Sequence, residues 1–131
     1  MVESLQKILL VEDEPDIQMI AKVSLETLGG YEIRIGNNGQ EALDILKDYT
    51  PDLIILDVMM PVMDGPATFA EIQNQFGKDA IPMVFMTAKV MADEIKNLKQ
   101  LGAADVINKP FDPMTLSSVV GNIWKSWRLA A

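Results

Sequence analysis

The 131-residue chain contains no histidine and no cysteine, and these two gaps remove more chemistry than any other feature of its composition. Without imidazole there is no serine–histidine triad, no histidine-ligated metal and no phosphohistidine carried by the chain itself. Any catalysis must therefore rest on carboxylate, lysine, hydroxyl or a hard cation. Without thiols there are no disulfides, no thiolate nucleophile and no cysteine-based zinc site, which is compatible with a reducing cytoplasm. No apolar run approaches the roughly 18 residues of a membrane span, and the opening MVESLQKILLVEDEP sets acidic residues on both sides of a short apolar stretch. Neither a membrane span nor a secretion signal is expected. Basic clusters are also missing. With 19 acidic against 11 basic residues and a formal charge of −8, the chain lacks the concentrated positive face that nucleic-acid backbones require.

What is present is an alternation of apolar runs and helical patterns separated by turn residues, with no linker or repeat. The 49% apolar content and the length suit one domain over 1–131, with its core over about 7–127. Strands are expected over Lys7–Glu12, Tyr31–Ile35, Asp52–Asp57, Met83–Thr87 and Ala104–Ile107. KILLVE, DLIILD and MVFMT are continuous apolar runs, the pattern of parallel strands covered on both faces. Helices are expected over Pro15–Leu28, Gly39–Asp48, Pro66–Phe76, Met91–Leu101 with Gly102 as a C-terminal cap, and Pro113–Trp127. Five βα units with right-handed crossovers give an α/β fold: a doubly wound, five-stranded parallel sheet with helices on both faces. Ligands in such folds bind beyond the carboxyl ends of the strands.

Those strand ends deliver Glu12 and Asp13, then Asp57, Thr87 and Lys109. Taken singly, each has an ordinary explanation. Asp13 and Glu14 before Pro15 could cap the first helix, Asp57 could form a turn, Thr87 is normal strand material, and a lysine before a turn is usually solvated. Taken together they differ. Three carboxylates at the ends of adjacent strands repel unless a cation sits among them, and oxygen-only ligation suits magnesium. A lysine charge and a hydroxyl are the further groups that a transferred phosphoryl needs. Asp64-Gly65-Pro66 reads as a turn and helix start. The nine methionines read as packing and loop residues, because thioethers are too soft for magnesium.

The blocks ILLVEDEP, PDLIILDVMMPVMDG, MTA and NKPF, at these separations, closely resemble the receiver domains of two-component response regulators. The resemblance runs from about Lys7 to Trp127 and implies a strand order of 2-1-3-4-5. It implies that Asp57 is the phosphoacceptor and that Glu12, Asp13, Asp57 and the backbone carbonyl of Met59 hold magnesium. Thr87 and Lys109 would bind the phosphoryl oxygens, and the peptide before Pro110 would be cis. The implied partners are a sensor histidine kinase or histidine phosphotransfer protein and a downstream target protein. A phosphorylation-dependent dimer and a cytoplasmic location go with them. Such a chain is not an enzyme beyond its own phosphorylation and dephosphorylation. Two positions need separate treatment. Three residues before the lysine, where the family often has tyrosine or phenylalanine, stands Val106, so switching would rest more on Thr87 than on a rotating ring. Met59 and Lys89, two residues after Asp57 and Thr87, occupy positions that vary in the family and flank the phosphoryl group.

Three rivals are weaker. An aspartate-based phosphohydrolase usually places a second aspartate where Met59 stands, and a flavodoxin-like carrier would not put Glu12-Asp13-Glu14 in its phosphate loop. A pure interaction module that keeps the fold without phosphorylation would not need the full acidic set. The few residues after Trp127 leave no room for an output domain, so the chain is expected to act through a partner or to be an excised piece of a larger kinase or regulator. On the last helix, Leu116, Val119, Val120, Ile123 and Trp127 fall in one apolar arc, with Trp124 at its border. Trp124 is accordingly expected to be partly exposed beside the fourth helix and fifth strand, where it reads either as a core-edge aromatic or, with Val106, as an output patch.

Overall fold

The computed structural model describes residues 4–88 and 91–130. Five strands, β1 (Lys7–Val11), β2 (Glu32–Gly36), β3 (Leu53–Asp57), β4 (Met83–Thr87) and β5 (Asp105–Asn108), form one parallel sheet in the order β2-β1-β3-β4-β5. Between and after them run α1 (Pro15–Gly29), α2 (Gly39–Ile45), α3 (Gly65–Phe76), α4 (Ala92–Gln100) and α5 (Leu116–Ala130).

The apolar runs expected to be covered on both faces are so covered, and strand pleating sorts their side chains into two cores. Ile8, Leu10, Leu53, Ile55, Val84 and Met86 point to the side closed by Ala21 and Leu25 of α1 and by Leu116, Val120 and Ile123 of α5. Leu9, Val11, Ile54, Leu56, Met83 and Phe85 point to the other side, against Ala42 and Leu43 of α2, Phe69 and Ile72 of α3 and Leu98 of α4. Phe69 and Phe85 stack with ring centroids 5.3 Å apart.

Element ends shift where hydrogen bonding outweighs composition. β1 stops at Val11, and β2 runs on to Gly36 because Val11 pairs with Gly36 and the Glu12 amide donates to the Gly36 carbonyl at 3.0 Å. Asp52 is not strand. Its carboxylate accepts from the amides of Gln6 and Lys7 at 3.0 and 2.9 Å, joining the start of β1 to the approach of β3. α2 ends at Ile45, and α5 begins at Leu116 after a turn in which Asp112 accepts from the Met114 amide at 2.9 Å. Gly102 follows α4 with φ of 111°, a conformation that favours glycine, and its amide donates to the Lys99 carbonyl.

Candidate functional site

The strand order places β1, β3, β4 and β5 side by side, so their carboxyl ends open onto one crevice. Val11 pairs with Leu56, which sets Glu12 beside Asp57 one residue further on. Asp57 pairs with Met86, and Thr87 with Asn108. Glu12, Asp57 and Thr87 are all buried. One carboxylate oxygen each from Glu12, Asp13 and Asp57 lies within 4.8 Å of the others. Lys109 crosses the crevice, its ammonium 2.7 Å from Glu12 Oε1 and 3.0 Å from Asp57 Oδ1. The chain is held at this point by the Lys109 amide, which donates to the Thr87 carbonyl at 2.8 Å, and the Lys109–Pro110 peptide is cis, as the resemblance implied.

The ordinary explanation for the acidic run at the start of α1 does not apply. The N-cap of α1 is Glu14, whose side chain takes no hydrogen bond from the helix. The Glu12 carboxylate instead turns into the crevice, accepting from the Glu14 amide at 3.2 Å. Asp64, by contrast, is the structural residue expected: it caps α3 by accepting from the Ala67 amide at 2.9 Å. Gly65 lets α3 approach the site, since a Cβ there would fall 2.5 Å from the Asp57 carbonyl oxygen.

Burial pushes the Glu12 carboxyl up to about 7. The Lys109 hydrogen bond opposes that shift, and the neighbouring Asp57 charge adds to it. Burial acts to lower the Lys109 pKa, but its hydrogen bonds to Glu12 and Asp57 outweigh this and raise it. Three converging carboxylates thus face one ammonium, leaving negative charge that a small hard cation would neutralise. An all-oxygen donor set of this kind fits magnesium.

The response regulator receiver domain profile matches residues 8–121. The chain belongs to that family. This receiver is 34% identical over 116 residues to the response regulator Rre1 of Synechocystis sp., covering 88% of the chain and 50% of Rre1. It spans about half the length of the curated relatives it matches. Among solved structures, the chemotaxis response regulator CheY4 of Vibrio cholerae superposes with a TM-score of 0.83 at 29% identity, over 92% of this chain and 99% of that one. The signal receiver domain of a signal transduction histidine kinase from Syntrophus aciditrophicus superposes at 0.80 with 35% identity, over 92% and 91%. The doubly wound fold with order 2-1-3-4-5 is the one these relatives share.

The remaining positions singled out from sequence divide. Met59 follows the site with its side chain in solvent. Val106 is half-buried and packs on the α3–α4 side of the sheet, paired with Phe85. Lys89 lies outside the described residues. The expectation for Trp124 is corrected: it is 5% exposed and belongs to the core with Leu116, Val120 and Ile123. Its indole lines a cavity with Leu5, Gly29 and Tyr31 to which α4 contributes no residue, and the Arg128 guanidinium covers the ring at 4.9 Å. α5 packs against α1 as well as the sheet, which turns its buried face by about 40° toward Ser117 and Trp124 and leaves Val119 exposed. The tryptophan beside β5 is Trp127, half-buried next to Ala104 and Asp105.

Proposed function

We propose that this receiver takes a phosphoryl group onto Asp57 from a phosphohistidine on a partner protein and signals through the resulting change of shape. The observation that carries the proposal is Lys109 spanning Glu12 and Asp57 at 2.7 and 3.0 Å at the mouth of an otherwise acidic crevice. A carboxylate held there is an oxygen nucleophile beside a fixed positive charge, which is what phosphoryl transfer needs. The Asp57 oxygen attacks phosphorus as the bond to the donor imidazole breaks, and the imidazole leaves with a proton. This chain has no histidine, so the donor is another molecule or another part of a longer protein. Lys109 meets the charge that develops on the phosphoryl oxygens. Thr87, at the end of the neighbouring strand, supplies a hydroxyl to the same group. Glu12, Asp13, Asp57 and the Met59 carbonyl would hold magnesium, which supplies charge neutralisation when bound.

The acyl phosphate is open to attack by water, so the signal ends itself, and the domain is a switch rather than an enzyme with a substrate of its own. The hydrolase alternative lacks its acid, because Met59 stands where that aspartate belongs. An apolar stripe of Met19, Ile20 and Val23 on α1 lies against Pro113 and Met114 of the loop leading into α5. The Ser24 hydroxyl, which donates to the Pro113 carbonyl, ties the two together. A kinase or histidine phosphotransfer protein presenting an apolar helix would seat on this stripe.

Shape change at Thr87 and β5 would be read by a downstream protein or a second copy of the domain. Among the described residues no helix is long and apolar enough to cross a membrane. The chain matches about half the length of Rre1 and the receiver domain of a histidine kinase, which supports a second reading in which the domain works within a larger regulator or kinase. The test is labelling with acetyl phosphate and magnesium. One phosphoryl group per chain is expected, labile to hydroxylamine and absent in Asp57→Asn or after chelation. A hydroxylamine-stable label, or label retained by Asp57→Asn, would overturn the assignment.

A further inference from the structure

The receiver sorts its methionines by depth. Met83 and Met86 of β4 are 5% and 1% exposed, whereas Met59, between β3 and α3, is 66% exposed. Met19, Met91 and Met114 stand in solvent as well. With no cysteine in the chain, these thioethers are its only sulfur, so nothing more reactive shields them from a peroxide. Met59 is distinguished from the other three by position. It lies two residues after Asp57 and lines an open groove of about 610 Å³ shared with Asp13, Val58 and Asp64.

We propose that Met59 is a site of reversible oxidation by hydrogen peroxide, and that its sulfoxide shortens the life of the phosphoryl group on Asp57. The second half rests on the reading of Asp57 as phosphoacceptor. In the oxidation, the thioether sulfur gives an electron pair to one peroxide oxygen, the O–O bond breaks and an S–O bond forms. The other oxygen leaves as hydroxide and takes the proton of the transferred oxygen to become water. Sulfur is oxidised by two electrons and the peroxide is reduced. A dithiol-dependent sulfoxide reductase reverses the step, taking the oxygen off as water while its dithiol becomes a disulfide.

The product changes the groove in kind. A thioether is a weak acceptor that repels ordered water, whereas a sulfoxide oxygen is a strong, hard acceptor. Placed in a groove with Asp13 and two residues from Asp57, that oxygen orders and polarises water in the groove beside the acyl phosphate.

The full chain is treated with dilute hydrogen peroxide and mapped by peptide mass spectrometry. Phosphoryl loss from Asp57 is then followed after labelling with acetyl phosphate. Met59 should gain one oxygen at least about tenfold faster than Met83 and Met86. The phosphoryl half-life should fall about threefold, the rate equivalent of one weak net hydrogen bond, and recover after reductase treatment. The combined variant Met19→Leu, Met91→Leu, Met114→Leu should show the same fall. Met59→Leu, compared before and after peroxide, should show none. Oxygen uptake at Met59 no faster than at the buried pair overturns the proposal, as does an unchanged half-life in oxidised protein or a fall that persists in Met59→Leu. Untreated protein that takes no phosphoryl group at all would instead overturn the reading of Asp57.

Discussion

The two ends of the sheet hold their charged residues in opposite ways. At the amino ends of the strands, charges are matched. The Tyr49 ring receives Arg34 at 4.3 Å and Lys7 at 5.8 Å, and Asp52 takes two backbone amides. Burial, aided by the Glu32 charge nearby, pushes the Tyr49 hydroxyl up to about 12. Trp124 and Tyr31 pack the same end. At the carboxyl ends, three carboxylates converge, two of them on one lysine, and burial pushes the Glu12 carboxyl up to about 7. One pole is organised for stability, and the other carries unbalanced negative charge that a cation resolves.

The largest expected difference in stability separates the two tryptophans. Trp124→Ala empties a buried site at the packed pole and should cost about 3–5 kcal/mol, while Trp127→Ala, at the half-open margin of β5, should cost about 1 kcal/mol. Urea unfolding of both variants measures this. Equal costs would mean that Trp127 is as much a core residue as Trp124.

A second pair sets the poles directly against each other. Without magnesium, Asp13→Asn should raise stability by about 1 kcal/mol by relieving repulsion, whereas Asp52→Asn should lower it by about 1 kcal/mol by weakening two hydrogen bonds to a carboxylate. Magnesium should raise the melting temperature of the unmodified chain and of Asp52→Asn, with little effect on Asp13→Asn. A magnesium response that survives in Asp13→Asn would remove that residue from the metal site.

Much of this arrangement was legible in the sequence because the signals were redundant. The runs KILLVE, DLIILD and MVFMT pointed to a sheet covered on both faces, and parallel register then carried Glu12, Asp57, Thr87 and Lys109 to one edge. Asp13 and Asp57 could each have been a cap or a turn, and only their convergence decides otherwise. Trp124 was misplaced for a physical reason. A helical wheel knows the sheet as its only neighbour, but α5 is also packed by α1, with Gly29 and Gly121 leaving room for Tyr31. The resulting rotation depends on residues about 90 positions away in sequence, which local periodicity does not contain.

Acidity provides a third contrast. The Glu12 pKa rises on folding from 4.5 to about 7, so the unfolded chain releases this proton first. The contribution of Glu12 to stability is therefore fully present below about pH 4.5 and is lost as pH climbs through about 7. Over the same interval magnesium competes with that proton, so its apparent affinity should increase between pH 6 and pH 8. Calorimetric titration across that range checks it, and Glu12→Gln should flatten the dependence. The raised Lys109 pKa contributes stability that is constant across this window and is lost only in strongly alkaline solution, as pH climbs through the raised value.

The smallest effect concerns backbone rather than charge. Val62, in the loop between β3 and α3, has φ of 71° and is 83% exposed, although a β-branched side chain is poorly accommodated in the left-handed region. Its exposed side chain contributes little packing to offset that cost. The surrounding loop is fixed at both ends: the Met63 amide donates to the Pro61 carbonyl at 2.8 Å and the Gly65 amide to the Val58 carbonyl at 2.9 Å. The conformation is thus imposed on Val62 by its neighbours and not chosen by its side chain. Val62→Gly removes the clash but adds freedom to the unfolded chain, so the net gain should be about 0.5–1 kcal/mol, and Val62→Asn, which tolerates this region better than valine, should gain a similar amount. Chemical unfolding of the two variants, alongside the rate of acetyl phosphate labelling, separates the possible roles of the strain. Higher stability with unchanged labelling means that the loop carries the strain passively. Higher stability with slower labelling means that the strained valine holds Met59 and the groove beside Asp13 in the geometry that the site uses.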